Sequence, residues 1–324
     1  MARSSLSSIF YGTHFEGVAE LATIGMNLEG VSLHEIQTLG GQLLPEHQAV
    51  IGNATNECYS VRSDVYVPVM NNDVIDAVVK VCNKHGLVPN GVVNVNEGRM
   101  NAYVFFNNVI GDPTAMSSSH KIISVHGEEA GIGLRVFNSY TGQTAFGAEP
   151  MMVRFICSNG AFLGSILSGI SMKHTKKSEE LFNLLPALIE ETMGKTDFLS
   201  DLLLAAEDTP IDLPDLVGVL WGLNLPKGAI DDILKQPEVY EPNLIQNLNA
   251  LTAFNAVTAY ITYRDGAEKS QVTETLSHKA TDLLTLDLRE IIDFGEERKQ
   301  KYEENLKEQQ LRRDALKIKV VAQR

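Results

Sequence analysis

Three groups of side chains in this 324-residue chain are of types that do chemistry. The first is Cys157, inside Cys157-Ser158-Asn159-Gly160. A nucleophilic cysteine needs a nearby base and usually a helix N-terminus to lower its pKa. Ala161-Phe162-Leu163 point to a helix beginning just beyond Gly160, but Cys157 ends the apolar run Val153–Ile156, as a packing cysteine does. It is read as inert packing, with Ser158 and Asn159 as a cap and turn, and no catalytic residue is assigned. The second group is His120 and His126, with Glu128 and Glu129 behind them. Two histidines of the same parity on a strand share a face, as a metal would require. Their spacing matches no established ligand pattern, so they read as surface histidines on a hairpin. No metal or cofactor is expected.

The third group is basic and aromatic. Arg135 and Arg154 fall on neighbouring expected strands, and Lys173, His174, Lys176 and Lys177 make up "MKHTKK" just before a helix. Clusters of this type meet phosphates. Tyr103 and Phe105, at alternate positions of one expected strand, would offer rings on which bases stack, although the same spacing serves a core. The chain contains no Walker loop, no GxGxxG, no HExxH and no nucleophile elbow.

The elements that must position these groups divide the chain in two. In the front half, "YSVRSDVYVPV" (59–69) reads as a strand near an edge, closed by Pro68. "NNDVIDAVVKVCNKHG" has helical spacing, with an asparagine cap before it and Gly86 after it. "NGVVNVNEGRMNAYVFFNNV" gives two strands about a turn at Glu97-Gly98, and residues 120–157 give three strands with turns near Gly127 and Gly142. "VSLHEIQTLGG" reads as a short helix stopped by Gly40-Gly41.

From Ser178 the pattern becomes helical. "SEELFNLLPALIEETM" carries Leu181, Leu184, Leu185, Leu188 and Ile189 on one face, with a kink or a broken helix at Pro186. "PKGAIDDILKQ" starts with a first-turn proline. Leu244, Leu248, Leu251 and Phe254 line an amphipathic helix. The last segment is rich in helix formers, with favourable four-apart pairs such as Glu297–Lys301 and Glu308–Arg312. The expected fold is α+β: an antiparallel β-meander with packed helices, then a mostly helical C-terminal half and a charged helical tail. The expected divisions are 1–177, 178–294 and 295–324, with the tail dispensable for folding.

Composition narrows the partners. The net charge is −14, but it is uneven: near-neutral to residue 177, strongly acidic over 178–297 and basic from 298 onward. The acidic middle repels a phosphate backbone and the front half does not. Three scattered cysteines suit a reducing compartment rather than a disulfide framework. "MARSSLSSIF" does not read as a secretory signal, and no apolar run is long enough to span a bilayer, so a cytoplasmic location and no membrane partner are expected.

The segments "YSVRSDVYVPVMNNDVIDAV", "GLRVFNSYTGQTAFGAEPMMVRFICSNGAF", "MKHTKKSEE" and "NLNALTAFNAVTAYITY" resemble, in this order, the phage- and plasmid-like proteins grouped as domain of unknown function 932. The resemblance covers about residues 30–265 and leaves out the first residues and the tail. It implies a mobile-element protein of a phage, prophage or plasmid, with no settled activity. The α+β layout is also similar to that of single-strand annealing proteins. Family context and the front-half charge distribution together make the leading expectation a non-enzymatic protein that binds single-stranded DNA as a homo-oligomer in the host bacterial cytoplasm, in recombination. Its contacts would be Arg135, Arg154, Lys173, His174, Lys176 and Lys177, with Tyr103 and Phe105 for stacking. The alternative is a structural or interaction protein, a virion component or an inhibitor of a host factor.

Overall fold

The computed structural model describes residues 19–87, 89–106, 122–125, 128–154, 160–162, 167, 169–175, 178–241, 244–263 and 271–322. The chain divides into two compact units: Met1–Asp201 with Thr262–Glu274, and Leu202–Ile261 with Thr275–Arg324. The class is α+β, with antiparallel sheets and a helical C-terminal half. The division at Asp201 lies past the expected break at 177 because the first helices after it pack on the sheet.

The first unit opens with β1 (Ala19–Glu20), α1 (Leu21–Gly25), β2 (Val31–Gln37), β3 (Leu43–Gly52) and β4 (Cys58–Ser63). It continues with α2 (Asn71–Lys84), β5 (Asn90–Asn96), β6 (Arg99–Phe105), β7 (Ile122–Val125), β8 (Glu128–Ser139), β9 (Phe146–Arg154), β10 (Gly160–Phe162) and β11 (Ile170–Met172). Eight of these strands, among the described residues, form one sheet with a spine of β1-β5-β6-β8-β9-β10. β8 is its hub: its C-terminal half pairs with β6, its N-terminal end with β7, and its far edge with β9. β5 and β6 join through a two-residue turn in which Glu97 (φ 50°) and Gly98 (φ 72°) are both left-handed. That is the turn whose twist suits a tight hairpin.

Strand alternation gives the sheet two faces. Met100, Ala102 and Val104 of β6, Leu134 and Val136 of β8 and Ala148 of β9 face a core shared with Val74, Ile75, Val78, Val81 and Cys82 of α2. Leu181 of a 3₁₀ turn (Ser178–Asn183), and Leu185, Leu188 and Ile189 of α3 (Leu185–Gly194), complete it. Full burial of each large aliphatic side chain contributes roughly 1.5–3 kcal/mol. Of the two outcomes expected at Pro186 the helix is broken rather than kinked: the 3₁₀ turn ends at Asn183 and α3 starts at Leu185, so the proline lies in a first turn, where it lacks only an N–H that has no intrahelical partner. Gly86 closes α2 as expected, at φ 70° with Leu87 N–H on the Cys82 carbonyl (3.0 Å). The residue capping α2 is Met70, and no side chain caps it; Asn71 is buried in a polar network instead.

A second sheet, β2-β3-β4, contains the largest departure from the sequence reading. "VSLHEIQ" is a strand, not a helix, and Gly40-Gly41 sits in the hairpin loop, where Gly41 adopts φ 83°. Leu33 and Ile36 have helical spacing, but pairing with β3 gives the segment a ladder that a short helix cannot match. The edge strand expected over 59–69 stops at Ser63. Beyond Gly160 the chain forms β10 on β9 rather than a helix.

The second unit contains the end of α4 (Thr196–Glu207), α5 (Leu213–Gly222), α6 (Lys227–Lys235), α7 (Pro237–Tyr240), most of α8 (Ala250–Tyr263), most of α9 (Gln271–Thr285) and α10 (Leu288–Ala322). Asp212 and Asp215 form a reciprocal capping box on α5. Asn249 and Thr252 do the same for α8, accepting from Thr252 N–H (2.8 Å) and Asn249 N–H (3.0 Å). α8 therefore begins at Ala250, which leaves the expected helical residues Leu244 and Leu248 ahead of it. α5 and α10 cross at glycines: a Cβ on Gly295 would stand 1.8 Å from the Gly218 carbonyl oxygen. Past that crossing Arg298 donates to the Trp221 carbonyl (2.7 Å), and Tyr302 lies against the Trp221 ring (5.1 Å). The first turns of the expected free tail thus belong to the fold of this unit.

Candidate nucleic-acid interface

The expected contact residues separate into three sets. Arg135, on β8, is buried on the sheet face opposite the helices. Its Nη1 donates to Glu149 Oε1 of β9 (2.6 Å), its Nε and Nη2 donate to Asn101 Oδ1, and its guanidinium lies over the Phe137 ring (4.9 Å). A buried arginine needs such a partner, because an uncompensated charge there is strongly destabilising. Its cross-strand neighbour Tyr103 is 4% exposed and Phe105 1%, so neither ring faces solvent. These three pack the sheet. Arg154 ends β9, with its side chain outside the described residues, as are Lys176 and Lys177. Cys157, His120 and His126 also lie outside them. Among the described residues no three His, Cys, Asp or Glu side chains are placed to hold a metal.

Lys173 and His174 are the remaining pair, and the fold brings them to a joint that the sequence did not reveal. The β8–β9 turn, starting at Ser139-Tyr140-Thr141-Gly142, meets the second sheet there. Tyr140 holds the joint: its N–H donates to the Gly98 carbonyl (2.7 Å), and its carbonyl accepts from Ser60 Oγ (2.9 Å). Its hydroxyl accepts from Asn71 N–H (2.9 Å) and donates to the Glu29 carbonyl (2.8 Å). Asn138 donates to the Val69 carbonyl (2.7 Å) and to Asn71 Oδ1 (2.8 Å). On the outer side, Glu29 accepts from Tyr59 OH (2.6 Å), from the N–H groups of Ala54 and Thr55, and from Thr55 Oγ1. Led by the tyrosine bond, these donors hold its carboxyl down at about 2.

Arg62 of β4 lies on the turn at this joint. A Cβ on Gly142 would stand 2.7 Å from Arg62 Nε, so a glycine lets the guanidinium rest against the backbone. Gly142 also needs its freedom for φ 62°. Arg62 is half-buried, and its Nε is buried without a hydrogen-bond partner. Among the described residues Arg62 has no ion pair. Arg99, exposed at the start of β6, donates to the Gln143 side chain across the same turn, and that neutral partner leaves its charge uncompensated. Glu97, in the adjoining turn, is an exposed acid near Arg99 in sequence.

His174 closes the joint from the other side. It is 7% exposed, its ring lies against Tyr66 (5.3 Å), and its carbonyl accepts from Val67 N–H (3.3 Å). Nε2 faces the Thr144 carbonyl (3.3 Å), while Nδ1 is buried without a partner. Burial first, and then the Arg62 charge, pull its pKa below the ordinary value. Burial also lifts Tyr66 to about 12, and its hydroxyl donates to the Ser139 carbonyl (3.1 Å). Lys173 is exposed beside this buried imidazole.

Arg62 of β4 and Arg99 of β6 thus flank one turn, and Lys173 follows β11, next in the chain to the His174 whose ring reaches the same turn. Arg62 and Arg99 were missed because nothing in their local sequence marks them. The available signal was the pair of glycine turns, Gly98 and Gly142, that bring them together. Among the described residues no helix is long and apolar enough to cross a membrane. No curated protein matches the chain, and no solved structure does. Residues 58–201 match the family described as Domain of unknown function (DUF932), so β4 with Arg62, the main sheet apart from β1, the Gly142 turn and His174 all fall within the matched segment.

Proposed function

We propose that this protein binds single-stranded nucleic acid along the rim formed by Arg62, Arg99 and Lys173. The observation that carries this reading is Arg62: a guanidinium with no ion pair among the described residues, set against a backbone turn and flanked by a second arginine whose partner is neutral. Arginine on a surface turn is well suited to a phosphodiester, which it meets with paired N–H donors. The rim lies in the less acidic front of the chain, which favours a strand docking there over the acidic C-terminal half. In this reading the protein is non-enzymatic. It acts as a homo-oligomer in the cytoplasm of a bacterium carrying a phage or plasmid, as the family resemblance implies, with strand annealing in recombination as its setting.

Fluorescence anisotropy with labelled single-stranded oligonucleotides over a salt series tests this. Replacing Arg62, Arg99 and Lys173 together by glutamine should weaken binding to all sequences alike. It should flatten the slope of log affinity against log salt by about 2, at roughly 0.7 per phosphate contact on a single strand. Absence of binding by the unmodified chain at low salt would remove the reading, because phosphate contacts are strongest there.

A second reading, contact with protein, has its own observation. The β2–β3 arm extends with Leu39, Leu43 and Leu44 exposed near its tip. If the arm joins protein surfaces, Leu43→Glu with Leu44→Glu should lower the mass measured by light scattering.

A further inference from the structure

Four buried side-chain atoms at the joint have no hydrogen-bond partner: Asn71 Nδ2 and Asn138 Oδ1 within the Tyr140 network, and Arg62 Nε and His174 Nδ1 beside the Gly142 turn. Buried polar groups in folded proteins are nearly always bonded, so neighbouring groups that are not call for an explanation. The Arg62 and His174 side chains are close enough for the Arg62 charge to act on the His174 ring. Both adjoin the residues of one turn: Arg62 at Gly142 and His174 at Thr144.

The tautomer of His174 follows from its one bond. A carbonyl oxygen only accepts, so the Nε2 that faces Thr144 carries the hydrogen. Burial and the Arg62 charge both favour the neutral ring, and in that form Nδ1 is a bare lone pair. The joint therefore presents a cationic donor, Arg62 Nε–H, beside an acceptor, His174 Nδ1. A ligand that satisfies both must bring an acceptor oxygen and a hydrogen of its own, and the Arg62 cation favours one that also carries negative charge.

We propose that Arg62 and His174 form a seat for a phosphomonoester, the terminal phosphate of a nucleic-acid strand. A phosphomonoester has a second pKa of about 6, close to that of imidazole. It can donate its P–O–H to Nδ1, or pass that proton to the ring and bind the resulting imidazolium, while its other oxygens take the Arg62 donors. A phosphodiester carries no proton near neutral pH, so its oxygens would face the Nδ1 lone pair directly. It is held by the outer face of Arg62 and by the rim, not by the seat. Among the described residues the charged side chain acting on His174 is Arg62 of β4; Tyr66 and the Thr144 carbonyl, the other groups against the ring, are neutral. The assignment of a strand end as the source rests on the nucleic-acid reading; free phosphate offers the same chemistry.

The test uses the full chain and oligonucleotides of one sequence with a 5′-phosphate, a 3′-phosphate or hydroxyls at both ends. Anisotropy should show one phosphorylated form bound about tenfold tighter than the hydroxyl form, the ratio that one charge-assisted hydrogen bond supplies. His174→Gln keeps a donor for the Thr144 carbonyl and removes Nδ1; Arg62→Lys keeps the charge and removes Nε. In each variant the ratio of phosphorylated to hydroxyl affinity should fall to about one, whatever happens to the absolute affinity. Thermal melts of both variants establish that they fold. Equal affinity for all three oligonucleotides in the unmodified chain overturns the seat and leaves the nucleic-acid reading standing. Calorimetric binding of inorganic phosphate that His174→Gln abolishes, with no oligonucleotide bound, keeps the seat and removes the nucleic-acid reading. Failure to bind any of these probes removes both.

Discussion

Glu29 shows how one carboxylate organises a turn. It gathers two backbone N–H groups and two hydroxyls from the β3–β4 connection and β4. Those bonds need the charged form, which is why its pKa sits at about 2, below the ordinary 4.5. A group whose folded pKa is depressed contributes its full stability above the unfolded value and loses it as pH falls through the folded one. Glu29→Gln should therefore lower stability at pH 7 by about 1 kcal/mol, modest because the carboxylate is partly exposed. The difference should close as the pH drops from 4.5 towards 2. Urea melts of both proteins across that range measure it. A gap that stays constant with pH would mean that shape, not charge, holds the turn.

At the scale of elements, the glycines on α5 and α10 decide how closely two helices approach. Gly295→Ala would place a methyl against the Gly218 carbonyl and 2.7 Å from the Gly222 nitrogen. Forcing the helices apart costs about 1–3 kcal/mol, more than the ~1 kcal/mol gained in helix propensity. Gly228→Ala, where a Cβ meets nothing within 4 Å, is the control, and it should be neutral or slightly stabilising. If Gly295→Ala is also neutral, the crossing is looser than the geometry implies.

The sequence did not reveal this crossing, because a glycine within a charged helix carries no mark of what lies opposite. Elements with strong local rules were legible: the two-residue turn at Glu97-Gly98, the 3.6-residue period of α2 and the paired strands around Gly142. β2 was not, since only its partner β3 makes that segment a strand. The site was legible only as a basic loop. Lys173 and His174 could be named, but Arg62 and Arg99 join them through tertiary contacts between segments far apart in the chain. Tyr103 and Phe105 alternate as a stacking face would, and alternation cannot distinguish such a face from a buried one.

At the scale of the whole molecule, the single tryptophan, Trp221, reports on the second unit. Its carbonyl and ring meet Arg298 and Tyr302, whereas Leu306 and Leu311, farther along α10, are exposed. A chain ending at Phe294 should show red-shifted tryptophan emission and an earlier urea midpoint. A chain ending at Leu311 should match the full protein in both. If the shorter chain is unaltered, the contacts of the first α10 turns contribute nothing measurable to stability, and the tail can be removed from Gly295 onward. The −14 net charge makes low salt the condition in which electrostatic self-repulsion of the chain is greatest. Such comparisons therefore belong at one fixed ionic strength.

Tyr140 has a consequence in time. Its hydroxyl links Glu29 and Asn71, which lie 111 and 69 residues away in the chain. Contacts of such separation are reached only after large loops have closed, so they form late in folding. Interactions absent from the folding transition state set how fast a protein comes apart rather than how fast it assembles. Tyr140→Phe keeps the ring and removes both hydroxyl bonds. In stopped-flow experiments it should unfold about tenfold faster while refolding at nearly the original rate. Slowed refolding with unchanged unfolding would place this joint among the first structures to form. The joint that gathers Arg62 and His174 is, on this argument, the last part of the first unit to close and the first to open.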